Sequence, residues 1–343
     1  MGETREASKL LKECLALGEG FDPSGSPVFA ALVKGTREFD GLIAGVQHDF
    51  PAVGRARLAF VTKEKDLVPE GLAYDAGRNV FYLSSLNRRK TVRINAEGVV
   101  SDFVPAGRDG LLPVLGIRMD PRDDTVWANS WSEDAGRSEL LHFDGSGKLL
   151  GRYALNDAAT HGFNDLVVRK NVEVILTDSL SNQVFRFNPV AHTFAPLTIH
   201  RLLAEPNGIA LADDDRQLFV ADDFGAVRVD LGDGNNRDVN PGPRNTLAGA
   251  DGLYWHKGSL IAIQNAIGSP RVAAFRLSND GTRVTETTVL EYRTAFMVEP
   301  TIGTIRGDDF FFIVNSQGSN MNGDHVADAT KLEPVRIGVL RLQ

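Results

Sequence analysis

The sequence predicts an all-β fold, a six-bladed β-propeller with a short N-terminal helical extension, and three observations predict it. A short phrase returns six times, at residues 69–74, 114–119, 163–168, 206–211, 250–255 and 300–305. The second-position residues of these phrases, Glu70, Leu115, Asn164, Asn207, Asp251 and Thr301, are spaced 45, 49, 43, 44 and 50 apart, a period that suits a four-stranded propeller blade. Each phrase is followed by a turn rich in Asp, Gly, Arg and Asn and then by a second apolar run, the pattern of a hairpin.

In chain order, residues 1–54 form the extension and 55–343 the propeller. Residues 3–17 have helical character, with Leu10, Leu11, Cys14, Leu15 and Leu17 on one broad apolar stripe; Gly18 and Gly20 stop the helix. A cap on the outside of the main fold is the expected role, with a lid over the channel or membrane attachment as alternatives. The second runs fall at 80–86, 126–131, 174–180, 218–224, 260–266 and 311–317, each ending in small polar residues. Third strands follow at 91–95, 139–144, 183–188, 226–231, 271–277 and 335–342. Such units cannot be stable singly; arranged radially they bury one another's faces. The strand-like stretch 57–62 precedes the first phrase and is expected to close the ring as the outermost strand of the last blade.

Composition narrows the function. The 343 residues are 42% hydrophobic and 24% charged, as in a soluble globular protein. A net charge of −8 argues against nucleic acid and anionic membrane as partners. One cysteine, Cys14, allows no internal disulfide framework. No run of 18 apolar residues marks a membrane span, and the first residues lack a secretory pattern; the expected location is cytoplasmic, or exported with the signal removed. Asp213-Asp214-Asp215 and Gly145-Ser146-Gly147-Lys148 read as hairpin turns. Gly232-Asp233-Gly234-Asn235-Asn236 lacks the distant Glu of a calcium-binding EF loop. No dinucleotide fingerprint, Gly-x-Ser-x-Gly elbow or Cys-x-x-Cys is present.

In a propeller the first strand of every blade lines the central channel, so equivalent positions form a ring around the axis. Leu115 and Thr301 suit a purely structural ring. Glu70, Asn164, Asn207 and Asp251 do not, because buried carboxylates and amides need partners. Two carboxylates balance one divalent cation, and an all-oxygen set suits a hard ion such as Ca²⁺; Mg²⁺, Mn²⁺ and Zn²⁺ are alternatives. His161, three residues before Asn164, is a candidate to take a proton at the channel mouth. Glu299, Asp109, residues 111–113, Phe163 and Phe296 are further candidates for the pocket wall. Asp165 is a possible support for Asn164, although strand alternation points it the other way.

These residues carry a family resemblance. Glu70 in Pro-Glu-Gly-Leu, Asn164 in Asn-Asp-Leu, Asn207 in Pro-Asn-Gly-Ile and Asp251 in Asp-Gly-Leu resemble the metal-binding pattern of the SMP-30/gluconolactonase/LRE-like group, over roughly residues 55–343. The resemblance implies a propeller with a catalytic divalent ion, usually calcium, in its axial channel, and hydrolysis of a lactone. It makes Glu70, Asn164, Asn207 and Asp251 the metal ligands and gives Asp251 a second role as general base or nucleophile. Wider relatives allow a phosphotriesterase of the diisopropylfluorophosphatase type, or a non-catalytic, strictosidine-synthase-like binding platform. The expected partner is a small lactone or ester, and the expected state a monomer or small homo-oligomer.

Overall fold

The computed structural model describes residues 2–17, 35–120, 122–243, 245–266 and 268–342. Six antiparallel sheets each begin with a repeat phrase. Blade one is Leu72–Asp75, Val80–Ser85, Lys90–Ile94 and Val100–Val104; blade three is Phe163–Val168, Val174–Asp178, Gln183–Asn188 and Thr193–Pro196. Blades two, four and five follow the same order from Val114–Met119, Ile209–Leu211 and Ala250–His256. Blade six combines Gly303–Arg306, Asp309–Ile313 and Arg336–Arg341 with Arg57–Val61, which pairs antiparallel with Arg336–Arg341 as the outermost strand. The ring therefore closes as expected, with a strand from before the first blade sewn onto the last.

The inner strands touch in cyclic order, the last meeting the first. A buried apolar cluster fills each interface between blades: Leu72 and Phe81 meet Phe311 and Ile337 at the closure, and Ala210 and Phe219 meet Leu253 and Leu260 between blades four and five. A fully buried side chain of this kind contributes about 1.5–3 kcal/mol, so the ring is held by its blade interfaces as much as by its sheets. The hairpin turns show their sequence logic. Lys257 and Gly258 both have positive φ, 46° and 84°, which is the turn that matches the strand twist.

Close approach at the axis explains the glycine at the third position of four phrases. A Cβ on Gly71 would lie 2.1 Å from Leu115 O, on Gly116 2.5 Å from Asn164 O, on Gly208 3.0 Å from Asp251 O, and on Gly252 3.0 Å from Thr301 O. In every case the obstructing atom is the second-position carbonyl of the next blade. Only glycine lets neighbouring inner strands come so near, and the contact sets the second-position residues side by side around the axis.

Among the described residues two helices precede the ring, Gly2–Leu17 and Arg37–Asp49. The second was not anticipated, although its signals are present: Thr36 Oγ1 accepts from Phe39 N at 3.2 Å as an N-cap, and Glu38 and Asp40 occupy the first turn. Leu11 and Phe39 are buried against each other with Ala7, Leu42 and Ile43 around them. Gly18 and Gly20, expected to stop the first helix, lie outside the described residues. Val53–Gly54 joins the outer edge of blade five, where Glu291 accepts from Arg55 N and Ala56 N at 2.7 and 2.8 Å. No helix among the described residues is long and apolar enough to cross a membrane.

Five of the second strands end earlier than expected, at Ser85, Asp178, Asp222, Gln264 and Ile313, and that of blade two ends one residue later, at Ser132. The polar residues beyond them turn across the mouth of the channel. In blade six that turn is long: residues 316–335 leave the sheet and run over the neighbouring blades. Asp324, buried within it, accepts from Ser132 Oγ (2.6 Å) and Glu133 N (3.0 Å) of blade two and pairs with Arg89 of blade one (3.2 Å). This strap covers the mouth on the side of blades six, one and two.

Candidate active site

Bulges shape the inner strands where they meet the mouth. The register shifts between Val114 and Ile117, Phe163 and Leu166, and Ala250 and Gly252, so Asn164 and Asp251 sit at irregularities that re-aim side chains. Asn164, Asn207 and Asp251 line one cleft of about 280 Å³, with Trp131, Ser179, Glu205, Asp222, Asp223 and Asn265 among the other walls. Asn207 Nδ2 donates to Asp251 Oδ1 at 2.9 Å, and Asn265 Nδ2 donates to Asp251 Oδ2 at 2.6 Å. Asn265 also reaches Pro300 O at 2.9 Å, and Asn164 Nδ2 donates to Ser179 Oγ at 3.0 Å. The Asp251 carboxylate is thus gripped through both oxygens.

Glu70 stands behind this group, under the root of the strap. A Cβ on Gly318 would lie 3.3 Å from Glu70 Oε1 and 3.5 Å from Glu299 Oε1. Glu299 accepts from Ser319 N at 2.7 Å and Ser319 Oγ at 3.1 Å. Burial, and then the neighbouring charge of Asp251, hold the Glu70 carboxyl well above its usual range. Burial likewise pushes Asp251 up to about 6; the donated bonds from Asn265 and Asn207 oppose the shift, and Asp165 and Glu299 add to it.

His161 does not join them. Its Nδ1 lies 2.5 Å from Asp178 Oδ2 and its Nε2 2.9 Å from Asp157 Oδ1. With both ring nitrogens engaged by carboxylates, the ring fastens the segment that leads into blade three. Phe163 and Phe296 pack in blade interfaces. Leu111 is buried in the interface between blades one and two, and Asp109 is exposed, its carbonyl accepting from Arg152 Nη2 at 2.7 Å. Asp165 points away from Asn164 as alternation requires, fully buried, with Arg118 Nη2 at 2.8 Å from its Oδ2.

Several wall residues escaped the sequence reading, among them Trp131, Ser179 and Asn265. Each lies at the end of a second run, opposite a repeat phrase, so the available signal was the recurring polar or aromatic ending of those runs.

The ring's donor set fits a hard cation. Asn207 Oδ1, at the second position, is buried without a hydrogen-bond partner, and Thr301 Oγ1 at the same position of blade six is turned to the Glu70 carboxyl. Among the described residues the cleft wall contains no Lys, Arg or His; Asp222 is paired with Arg201 from outside it, and Asp251 has no such counter-charge. Among those residues too, no three His, Cys, Asp or Glu side chains gather into a metal cluster; an ion here would depend on amide oxygens as well as carboxylates.

No protein-family model matches the sequence, and no curated protein sequence matches it. Solved structures do match the fold. A gluconolactonase from Xanthomonas campestris is similar with a TM-score of 0.57 at 17% identity, over 85% of this chain and 91% of its own. A virginiamycin B lyase from Staphylococcus aureus gives 0.57 at 15%, over 84% and 99%. An aldose sugar dehydrogenase from Streptomyces coelicolor, bound to PQQ, gives 0.56 at 16%, over 84% and 99%. At these identities the likeness establishes the six-bladed propeller and leaves the chemistry to the side chains.

Proposed function

We propose that this chain is a divalent-metal-dependent hydrolase, gluconolactonase-like, that opens a lactone or related ester in the axial cleft. The observation that carries the reading is the mutual repulsion of three partly buried carboxylates, Asp251, Glu70 and Glu299, beside the unpartnered Asn207 Oδ1, with no basic side chain in the cleft wall among the described residues. Buried negative charge without a partner is costly, and a cation held by Glu70, Asn164, Asn207 and Asp251 would relieve it. Calcium suits an all-oxygen set. The similarity in fold to a gluconolactonase agrees with the reaction class.

When bound, the ion would supply Lewis-acid polarisation of the ester carbonyl. The chain's own residues supply the rest. Asn207 and Asn265 fix both oxygens of Asp251, so that its remaining lone pairs face the cleft in one orientation. Asp251 then either takes a proton from an attacking water or attacks the carbonyl itself. The base falls to Asp251 and not to His161, whose nitrogens are both occupied. Trp131 and Leu180 wall the cleft with apolar surface.

A binding platform is the second reading, favoured by the absence, among the described residues, of a three-residue cluster of acids, imidazoles or thiols. One experiment separates the two. Purified protein is assayed on aldonolactones, aliphatic lactones, aryl esters and a phosphotriester, before and after EDTA and with Ca²⁺ restored. Lactone turnover that is lost with EDTA, regained with Ca²⁺ and absent in Asp251→Asn supports the hydrolase. Turnover of the phosphotriester alone reassigns the reaction, and tight calcium binding without any turnover favours the platform.

A further inference from the structure

A second cavity of about 450 Å³ adjoins the axial cleft, and the two share their walls. It is bounded by Arg201, Phe224, Gly225, Ala226, Val239, Pro241, Thr246 and Leu247, among others. Within the turn after the second strand of blade four, Asp222 and Asp223 face the cleft while Phe224 to Ala226 face the groove. On the segment leading into blade five, Thr246 and Leu247 face the groove while Gly249 to Asp251 face the cleft. Gly249 N donates to Asp222 O at 3.1 Å, so one low ridge of two hydrogen-bonded segments divides the cavities.

The groove's polar lining, Arg201, Asp238 and Asn240, lies beside an apolar stretch. Val239 and Leu247 form its floor, at 3% and 1% exposure, and Phe224 stands on the ridge at 74%. Arg201, its one guanidinium among the described residues, is already paired with Asp222 and Asp238 at 2.5 and 2.7 Å. An aromatic ring left mostly in water beside an apolar trough is an unusual use of surface. On the cleft side, Glu205, Asp223 and Asp251 make the mouth acidic, which disfavours an anionic substrate and would repel the carboxylate released when a lactone opens.

We infer that the groove is the tail-binding half of the same site, and that the substrate is a neutral lactone carrying an alkyl or acyl chain. The chain crosses Phe224 into the groove while the lactone ring rests against Asn207 and Asp251. The inference deepens the hydrolase reading above and rests on it for the chemistry.

The test uses the full chain with Ca²⁺ on γ-butyrolactone, γ-hexalactone, γ-decalactone and glucono-δ-lactone. Each methylene that reaches the groove raises kcat/KM by roughly two- to fourfold, so the decalactone, six carbons longer, exceeds γ-butyrolactone by about sixtyfold or more. Phe224→Asp, at an exposed position, flattens the dependence at least tenfold, whereas Phe224→Leu retains it. Val190→Ser, an equally exposed apolar site in the turn between the outer strands of blade three, leaves the ratio unchanged. Hydrolysis without chain-length dependence, or with the sugar lactone preferred, overturns the inference and spares the hydrolase. Where nothing is hydrolysed, binding of γ-decalactone against γ-butyrolactone is read from tryptophan fluorescence, since Trp131 lines the cleft. Tail-dependent binding lost in Phe224→Asp then upholds the groove while the hydrolase reading falls; equal or absent binding overturns both.

Discussion

Two aspartates on the inner strands of blades three and five have different partners, although burial raises the pKa of both. Asp165, fully buried, has the Arg118 guanidinium at 2.8 Å and accepts from Leu166 N at 2.8 Å. Arg118 also lies over the Tyr254 ring, 5.4 Å from its centroid, so a cation already joins blades two, three and five beneath the mouth. Asp251 is held only by neutral amides, and its strongest charged neighbours are carboxylates. One acid is a completed joint; the other is an acid kept without its counter-ion. That Asp165 is paired with a cation while Asp251 has none at the mouth is what the proposed cation would answer.

The sharpest way to break this comparison is to neutralise each acid in turn. Asp251→Asn should lower lactone turnover by about a hundred- to ten-thousand-fold while leaving the melting temperature of metal-free protein unchanged or raised, because a buried uncompensated charge is gone. Asp165→Ala should do the reverse. It leaves the Arg118 charge stranded and costs about 3–5 kcal/mol, measured by urea denaturation, and the double change with Arg118→Met should recover much of the loss. Equal stability costs for the two single variants would erase the distinction.

That distinction was only half legible in the sequence. The ring position was readable because the propeller repeats it, and the shared period put Glu70, Asn164, Asn207 and Asp251 in register before any coordinates. The partners were not, because they come from other elements. Asn265 follows a second strand, Arg118 sits in the phrase of a different blade, and Gly318 and Ser319 belong to a strap inserted where the repeat gives no template. His161 was misjudged for a similar reason: proximity to Asn164 along the chain says nothing about Asp157 and Asp178, which take both of its nitrogens. Strand alternation, by contrast, correctly turned Asp165 away from Asn164, since that rule depends on the backbone alone.

A cation should act on the mouth and not on the joint. In metal-free protein the folded pKa of Asp251 is raised to about 6 and that of Glu70 lies well above its ordinary value. The stability associated with these groups is therefore fully present below their unfolded values and is lost as pH rises through the folded ones. Calcium should restore it, so the gain in melting temperature on adding Ca²⁺ should be larger at pH 8 than at pH 5, and should vanish in Asp251→Asn. Taking the difference with and without the ion at each pH removes contributions from the rest of the chain. A gain independent of pH, or one that survives Asp251→Asn, would place the ion elsewhere.

The smallest effects expected come from two histidines, His142 in blade two and His161 at the entry to blade three, and they should oppose each other. His142 stacks on Trp127 at 3.9 Å with an interplanar angle of 5°, and burial lowers its pKa; its contribution is present above the ordinary histidine value and is lost as pH falls through it. His161 is also partly desolvated, but Asp157 and Asp178 outweigh that and raise its pKa; its contribution is full below the ordinary value and is lost as pH rises through the raised one. Replacing His142 with Phe should therefore flatten the acid side of the stability profile, and replacing His161 with Asn the alkaline side, each followed by thermal melts between pH 5 and 9. If His161→Asn also abolished turnover while the protein stayed folded, the imidazole would have to reach the cleft after all, and the assignment of the proton to Asp251 would fail.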